Sequence, residues 1–203
     1  MNKYDDFLER YRKSRKRLEA WWNGGVLDRV ILFIQVPKKE VPPPLPEKKG
    51  VPEEIALDVE YRLDCFEHYL ASTDFLGEAF PHFGAGLGTG DLALYLGASV
   101  RFSPREGVWY EPCLKDAETV PELKLDPKNK WWRSTLQMID AALARAKGRY
   151  LVSIPTIGYN LDVLASLRGT NNLLLDLIER PRFVHGCQRQ IVDVGKDCYD
   201  QVY

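Results

Sequence analysis

Near the start of the chain, Tyr4, Phe7, Leu8, Tyr11, Leu18 and the pair Trp21-Trp22 recur at three- and four-residue spacing, with Arg10, Arg12, Lys13, Arg15, Lys16 and Arg17 among them. That period predicts an amphipathic opening helix. Asn23-Gly24-Gly25 ends it, and the apolar run from Val30 to Val36 predicts a first strand. Residues 37–52 are rich in Pro, Lys and Glu, which neither pack nor regularise, so an exposed Pro-rich loop of the lid kind is expected there. Val59, Leu63, Phe66 and Leu70 mark the buried face of a second helix, supported by Asp58 and Arg62 at i, i+4. Thr73 to Leu76 reads as a second short strand, and Val100 to Phe102 with Val108 to Tyr110 as a hairpin. Trp132, Leu136, Ile139, Leu143 and Ala146 form the stripe of a long third helix that Gly148 terminates.

A third strand-to-helix passage follows. Tyr150 to Ile154 is apolar and β-branched, Pro155 to Asn160 can continue neither strand nor helix, and Leu161 to Leu167 returns to helical spacing. Strand and helix therefore alternate three times, the order of an α/β protein. Chemistry in such proteins collects where strands end, which directs attention to Pro155 to Asp162.

Composition narrows the field. A chain of 203 residues, 45% hydrophobic and 28% charged, is long enough to bury a core, and residues 1–203 are expected to form one domain. With a net charge of -1 there is no global field to recruit nucleic acid or an anionic membrane. Glu9 and Glu19 beside the basic run of the first helix favour a solvated face. The polar opening residues are no secretory signal and no apolar run can cross a bilayer, so a cytoplasmic location is expected. Cys65, Cys113, Cys187 and Cys198 are then buried thiols and not a disulfide framework.

Two motifs invite sharper chemistry. Phe83-Gly-Ala-Gly-Leu-Gly-Thr-Gly-Asp91 resembles a phosphate loop, but no Gly-Lys-Ser/Thr follows, and a tight turn into a helix over Leu92 to Leu96 is the better account. His185-Gly-Cys187 with Cys198 resembles a zinc set. On one helix begun by Pro181, however, Val184, Cys187, Ile191, Val194 and Cys198 share a buried stripe, and Cys187 and Cys198 stand about 16 Å apart, too far to converge on one ion. No metal site is expected from this chain.

Trp21-Trp-Asn-Gly-Gly-Val-Leu-Asp-Arg29, Gly77-Glu-Ala-Phe-Pro81, Leu161-Asp-Val-Leu-Ala-Ser-Leu-Arg-Gly169 and Asp176-Leu-Ile-Glu-Arg-Pro-Arg-Phe-Val184 together resemble the uroporphyrinogen decarboxylase superfamily, which includes corrinoid-dependent methyltransferases. The resemblance implies a (β/α)8 TIM barrel of about 250 residues or more, of which this chain supplies the amino-terminal half, with about three barrel strands and a side hairpin. It implies a carboxyl-terminal half of the barrel, or a second copy in a homodimer, as partner. It also implies a tetrapyrrole or corrinoid as the small molecule acted on or with. The activities it implies are decarboxylation of uroporphyrinogen in porphyrin biosynthesis or methyl transfer from a corrinoid. A half-barrel retained as a binding or assembly module is the non-catalytic alternative. No cofactor is expected in this chain itself, while a completed methyltransferase would use corrinoid and zinc.

The same resemblance nominates residues. Asp74, in Thr73-Asp-Phe-Leu76, matches the catalytic aspartate of a strand end, and Lys38 and Lys39 stand where the decarboxylases place a pair of carboxylate-binding arginines. Ala165 occupies the position of the decarboxylase tyrosine, leaving Tyr159 to supply a hydroxyl. From the residues themselves, Glu78 and Glu111, near predicted loop ends where exposed carboxylates are common, and Asp162 and Arg168 complete the substrate-binding candidates. Asp162 as helix N-cap, Arg168 as a last-turn cation and Gly169 as C-cap form the competing structural account.

Overall fold

The computed structural model describes residues 3–45, 47–103 and 107–203, and of these the side chains of 3–8, 10 and 107 fall outside the description. The expected contributions of Tyr4, Phe7, Leu8 and Arg10, and the hairpin turn at Pro104 to Glu106, lie there too. The amphipathic opening forms α1 (Lys3–Trp22), followed by β1 (Phe33–Pro37), α2 (Pro52–Leu57), α3 (Val59–Ser72) and β2 (Thr73–Gly77). Then come β3 (His82–Gly84), α4 (Asp91–Tyr95), the hairpin β4 (Ser99–Ser103) and β5 (Gly107–Glu111), and α5 (Lys130–Ala146). The chain ends with β6 (Leu151–Ser153), α6 (Leu161–Arg168), α7 (Thr170–Glu179) and α8 (Pro181–Val202). The class is mixed helix and strand, and among the described residues the strands make three two-stranded sheets and no closed barrel. No helix of the described residues is long and apolar enough to cross a membrane.

The three strands expected to stand side by side pair otherwise. β1 runs antiparallel to β2, with Val36 opposite Asp74 and Ile34 opposite Leu76, while β6 pairs with β3, a strand too short and too broken by glycine to be legible in the sequence. The reason for the first pairing is local. α3 ends at Ser72 and β2 begins at Thr73, so no loop turns the chain between helix and strand. A strand that continues the direction of its returning helix meets β1 head to tail, whereas a parallel crossover needs a reversal at both ends.

Two compact units are distinguished, Met1–Val51 with Asp58–Phe83 and Asp140–Ser153 in the first, and Pro52–Leu57 with Gly84–Ile139 and Ile154–Tyr203 in the second. In the first, Leu63 of α3 is fully buried, and Phe66 meets the rings of Phe83 and Tyr150 edge-on at 5.1 and 4.9 Å. Asp58 accepts the Tyr61 N–H at 2.9 Å as the N-cap of α3 and pairs with Lys48, which holds the 37–52 segment against that helix. Between β1 and α2 its described residues are mostly exposed and form no helix or strand. His68, which showed no partner in the sequence, donates through Nε2 to the carbonyls of Pro42 and Pro43 at 3.3 and 3.0 Å.

In the second unit α4, α6 and α8 pack around Leu92, Leu94, Val163, Leu164, Leu167 and Ile191. The α8 stripe is the expected one, with Val184, Cys187, Ile191, Val194 and Cys198 all buried. The stripe of α5, a helix whose residues are divided between the two units, is displaced by about one position: Trp131, Trp132, Thr135, Met138, Ala142 and Ala146 are buried, and Leu143 is exposed. Asn129 sets that rotation, since its side-chain oxygen accepts the N–H groups of Trp131 and Trp132 while its amide donates to the Leu94 carbonyl at 2.9 Å. The glycine-rich segment forms the anticipated tight turn, closed by Asp91, whose Oδ1 accepts from Leu87 and Gly88.

Candidate functional site

In the first unit the charged residues gather at one carboxylate. Glu78 follows β2 directly and is fully buried. Its Oε1 accepts from Arg29 Nη2 at 2.7 Å and Arg17 Nη1 at 3.1 Å, and its Oε2 from Arg29 Nη1 at 2.7 Å and the Leu32 N–H at 3.0 Å. Arg17 also makes a fork to Asp28, with Nε and Nη2 at 2.8 and 2.7 Å. Glu78 was expected at an exposed loop end; instead its oxygens are filled from α1 and from the segment entering β1. Burial pushes its carboxyl up, but the hydrogen bonds from Arg29, the Leu32 amide and Arg17 outweigh it and hold the group below the usual range. The Arg17 fork likewise lowers Asp28 to about 2.

Gly77 makes this arrangement possible. Its φ of +66° suits glycine, and a Cβ there would strike the Leu32 carbonyl oxygen. That oxygen accepts the Glu78 N–H at 2.8 Å, so the close backbone approach is part of the cluster.

The second unit has a counterpart. Arg168, 8% exposed, donates from Nε to Asp176 Oδ2 at 2.7 Å and from Nη1 to the carbonyls of Leu114 and Lys115 at 3.0 and 2.6 Å. Arg180 reaches Asp176 Oδ1 at 2.9 Å. Hydrogen bonds from both arginines, Arg168 first, hold Asp176 below the carboxylate range against the effect of burial. Arg168 therefore joins α6, α7 and the 114–115 segment, and its last-turn position is not a simple match to a helix dipole. In each cluster two arginines face two carboxylates, since Glu179 also pairs with Arg180 at 3.1 Å. Their sites are internally compensated, which suits holding a fold more than binding an anion.

The remaining candidates are dispersed. Asp74 is exposed on β2, and on its face of the ladder its neighbours are the exposed Ile34, Val36 and Leu76, which sets an acid on an open apolar surface. Lys38 lies at the same end of the ladder, but its ammonium donates to the carbonyls of Leu70 and Ala71 at 3.4 and 3.1 Å, closing α3. Lys39 is exposed beyond it. In the second unit Glu111 sits at the end of β5, 3.4 Å from Arg101 and from the Ser99 hydroxyl. Tyr159 lays its ring against Gly195 of α8, where a Cβ would collide with it, and burial raises its phenol. Asp162 is exposed and does not cap α6. Asn160 does, its side-chain oxygen accepting the Asp162 N–H at 3.2 Å.

A shallow groove along α8, lined by His185, Gln188, Arg189, Val192 and Asp193, includes none of the nominated residues. Cys187 and Cys198 belong to the buried stripe, where burial drives their thiols up to about 11 and 12. Among the described residues no three His, Cys, Asp or Glu side chains are grouped to hold a metal ion. The sequence did not single out Arg17, Asp28, Arg29, Asp176 or Arg180. The available signal was their place in or beside the motif segments. No family model matches the chain, and it matches neither a curated protein nor a solved structure.

Proposed function

We propose that this chain is the amino-terminal part of a uroporphyrinogen decarboxylase-like enzyme, a partial (β/α)8 barrel acting on or with a tetrapyrrole or corrinoid and belonging to the branch near the corrinoid-dependent methyltransferases. The observation that carries the proposal is Asp74, a carboxylate on the open apolar face formed by Ile34, Val36 and Leu76. A flat macrocycle laid on that face would lose apolar surface to the protein and meet one anion. In decarboxylation of a pyrrole, protonation of the ring generates a cation, and a fixed carboxylate in a dry site stabilises it. Lys39, of the same compact unit, is kept as a peripheral substrate contact.

Two further observations support the family reading. The motif segments meet in space: Asp28 and Arg29 of the first meet Glu78 of the second through Arg17 and directly, and Arg168 of the third meets Asp176 of the fourth. Segments distant in sequence are thus paired as fold determinants. Large apolar side chains also stay in water on β1 and on α7, where Ile178 is 84% exposed, as expected of surfaces covered by a carboxyl-terminal barrel half or a second copy. The cytoplasmic location belongs to the same proposal. Authentic uroporphyrinogen decarboxylation and a non-catalytic binding module are its alternatives.

The test is direct. Purified protein is incubated with uroporphyrinogen, and separately with methylcobalamin and a thiol, while tetrapyrrole binding is followed by absorbance. Binding that Asp74→Asn weakens supports the proposal, and turnover in either assay chooses the chemistry. Binding without turnover selects the module, and neither binding nor turnover overturns the enzyme readings.

A further inference from the structure

Adjacent prolines occur once in the chain, in Val41-Pro-Pro-Pro-Leu-Pro46, and the proposed chemistry makes no use of them. Each proline ring fixes φ near −65°, and each residue ahead of a proline is driven to an extended ψ. Val41 to Leu45 are thereby directed into a polyproline II helix, and they form no turn, α-helix or strand.

This segment lies along α3 and is held at both ends within one compact unit. His68 Nε2 stands 3.3 and 3.0 Å from the carbonyls of Pro42 and Pro43. At the other end Lys48 pairs with Asp58, its ammonium 5.4 Å from the centre of the Tyr61 ring. The two spans agree. Pro43 to Lys48 covers about 15 Å at the polyproline rise, and Asp58 to His68 covers about 15 Å at the α-helical rise. The segment is therefore a taut strap, antiparallel to α3.

Burial along the strap repeats with the three-residue period of that helix. Pro42 and Lys48 are half-buried and Leu45 is 37% exposed, which makes 42, 45 and 48 the inner edge. Val41, Pro43, Pro44, Glu47 and Lys49 are exposed. One outer edge carries Val41 and Pro44, about 9 Å apart, and the other carries Pro43 with Lys49 two turns on.

We propose that the strap is a docking ligand, a polyproline II helix already ordered on α3, for a partner protein whose groove is lined by aromatic rings. Flat aromatic side chains fit between prolyl rings spaced one turn apart, and the solvated main chain offers carbonyls to their N–H and O–H groups. Lys49 at the end of its edge calls for a carboxylate beside the groove. Because the conformation is fixed in folding, little entropy is lost in binding, so the strap in place is the better ligand than the same peptide free. The inference stands apart from the tetrapyrrole chemistry.

The test titrates the full chain into isotope-labelled SH3 and WW domains, whose grooves are aromatic-lined, and follows the groove resonances by NMR. Saturable shifts of groove residues in at least one domain are expected. Pro43→Ala combined with Pro44→Ala is expected to weaken binding about tenfold, and Lys49→Glu to weaken it and flatten its salt dependence. Asp58→Asn keeps a good N-cap for α3 but frees Lys48, and is expected to weaken binding several-fold by slackening the strap. A synthetic peptide of residues 40–50 is expected to bind less tightly than the full chain. Ile178→Lys, in the other unit, is expected to bind as the unmodified chain does. All substituted positions in the strap are exposed, and unchanged far-ultraviolet circular dichroism checks the fold. Binding to neither domain, binding indifferent to the double alanine variant, or a peptide that binds more tightly than the full chain overturns the inference.

Discussion

At the scale of single residues, Gly77 and Arg168 each hold a place that one other side chain cannot fill. Gly77 combines a left-handed φ with a backbone oxygen directly where a Cβ would go, so Gly77→Ala forces the Leu32 carbonyl away from Glu78. Such strain costs roughly 1–3 kcal/mol, and the displaced bond adds to it. A lower urea midpoint is expected, and an unchanged midpoint would refute the close approach. Arg168→Ala strands the buried Asp176 and the Leu114 and Lys115 carbonyls, with an expected loss of about 3–5 kcal/mol in urea unfolding. Arg168→Lys keeps the charge but not the fork, and recovery of all the lost stability would show that the geometry is irrelevant. Arg168 and Gly77 both stand in motif segments that the sequence makes conspicuous. Their mechanical roles are not legible there, because Arg168 and Leu114 are 54 positions apart and nothing in either neighbourhood specifies the other.

At the scale of elements, α1, the approach to β1 and the end of β2 are joined by the Glu78 cluster, and this joint is acid-sensitive. Glu78 and Asp28 both titrate below their unfolded values in the folded chain. Protonation therefore favours the unfolded state: their contribution is complete above about pH 4.5 and is lost as pH falls through the folded values, reaching about 2 for Asp28. Urea midpoints are expected to be flat from about pH 7 to about pH 5 and to fall below that. Glu78→Gln is expected to start lower at neutral pH and to show a shallower acid decline. Equal declines in the two proteins would mean that the cluster does not couple to folding. Elements themselves were well marked where period was strong, as in α8 from Pro181 onward. In α5 the stripe expected through Trp132 lies about one position away, with Trp131 buried as well, where the Asn129 side chain holds the first turn.

At the scale of the whole molecule, association is the dominant expectation, and its character follows from the surface. The exposed Phe33, Ile34 and Val36 of β1 and the exposed Leu174, Leu175 and Ile178 of α7 are apolar, while the cationic face of α1 is partly compensated by Glu9 and Glu19. Hydrophobic burial is strengthened by sulfate and little affected by screening. The dimer fraction in sedimentation is expected to rise in ammonium sulfate and to survive sodium chloride of similar ionic strength. Dissociation by sodium chloride would point to charge as the adhesive and remove apolar burial from the account.

The sequence by itself determined local features: the helices α1, α3, α4, α5, α6 and α8, the tight glycine turn and the burial of Cys187 and Cys198, while α2 and α7 were not legible in it. Each follows from period, capping or composition within about a dozen residues, where chain connectivity leaves few alternatives. Only the tertiary structure decided what met what. It set β2 antiparallel to β1 because α3 runs into it without a loop. It buried Glu78 between Arg17 and Arg29, assigned the α6 cap to Asn160, turned the Lys38 ammonium onto the end of α3, and left Asp74 on an open apolar face. Ion pairs and strand partners are chosen by the free energy of the folded whole, and a charge carries no local record of the partner it will find.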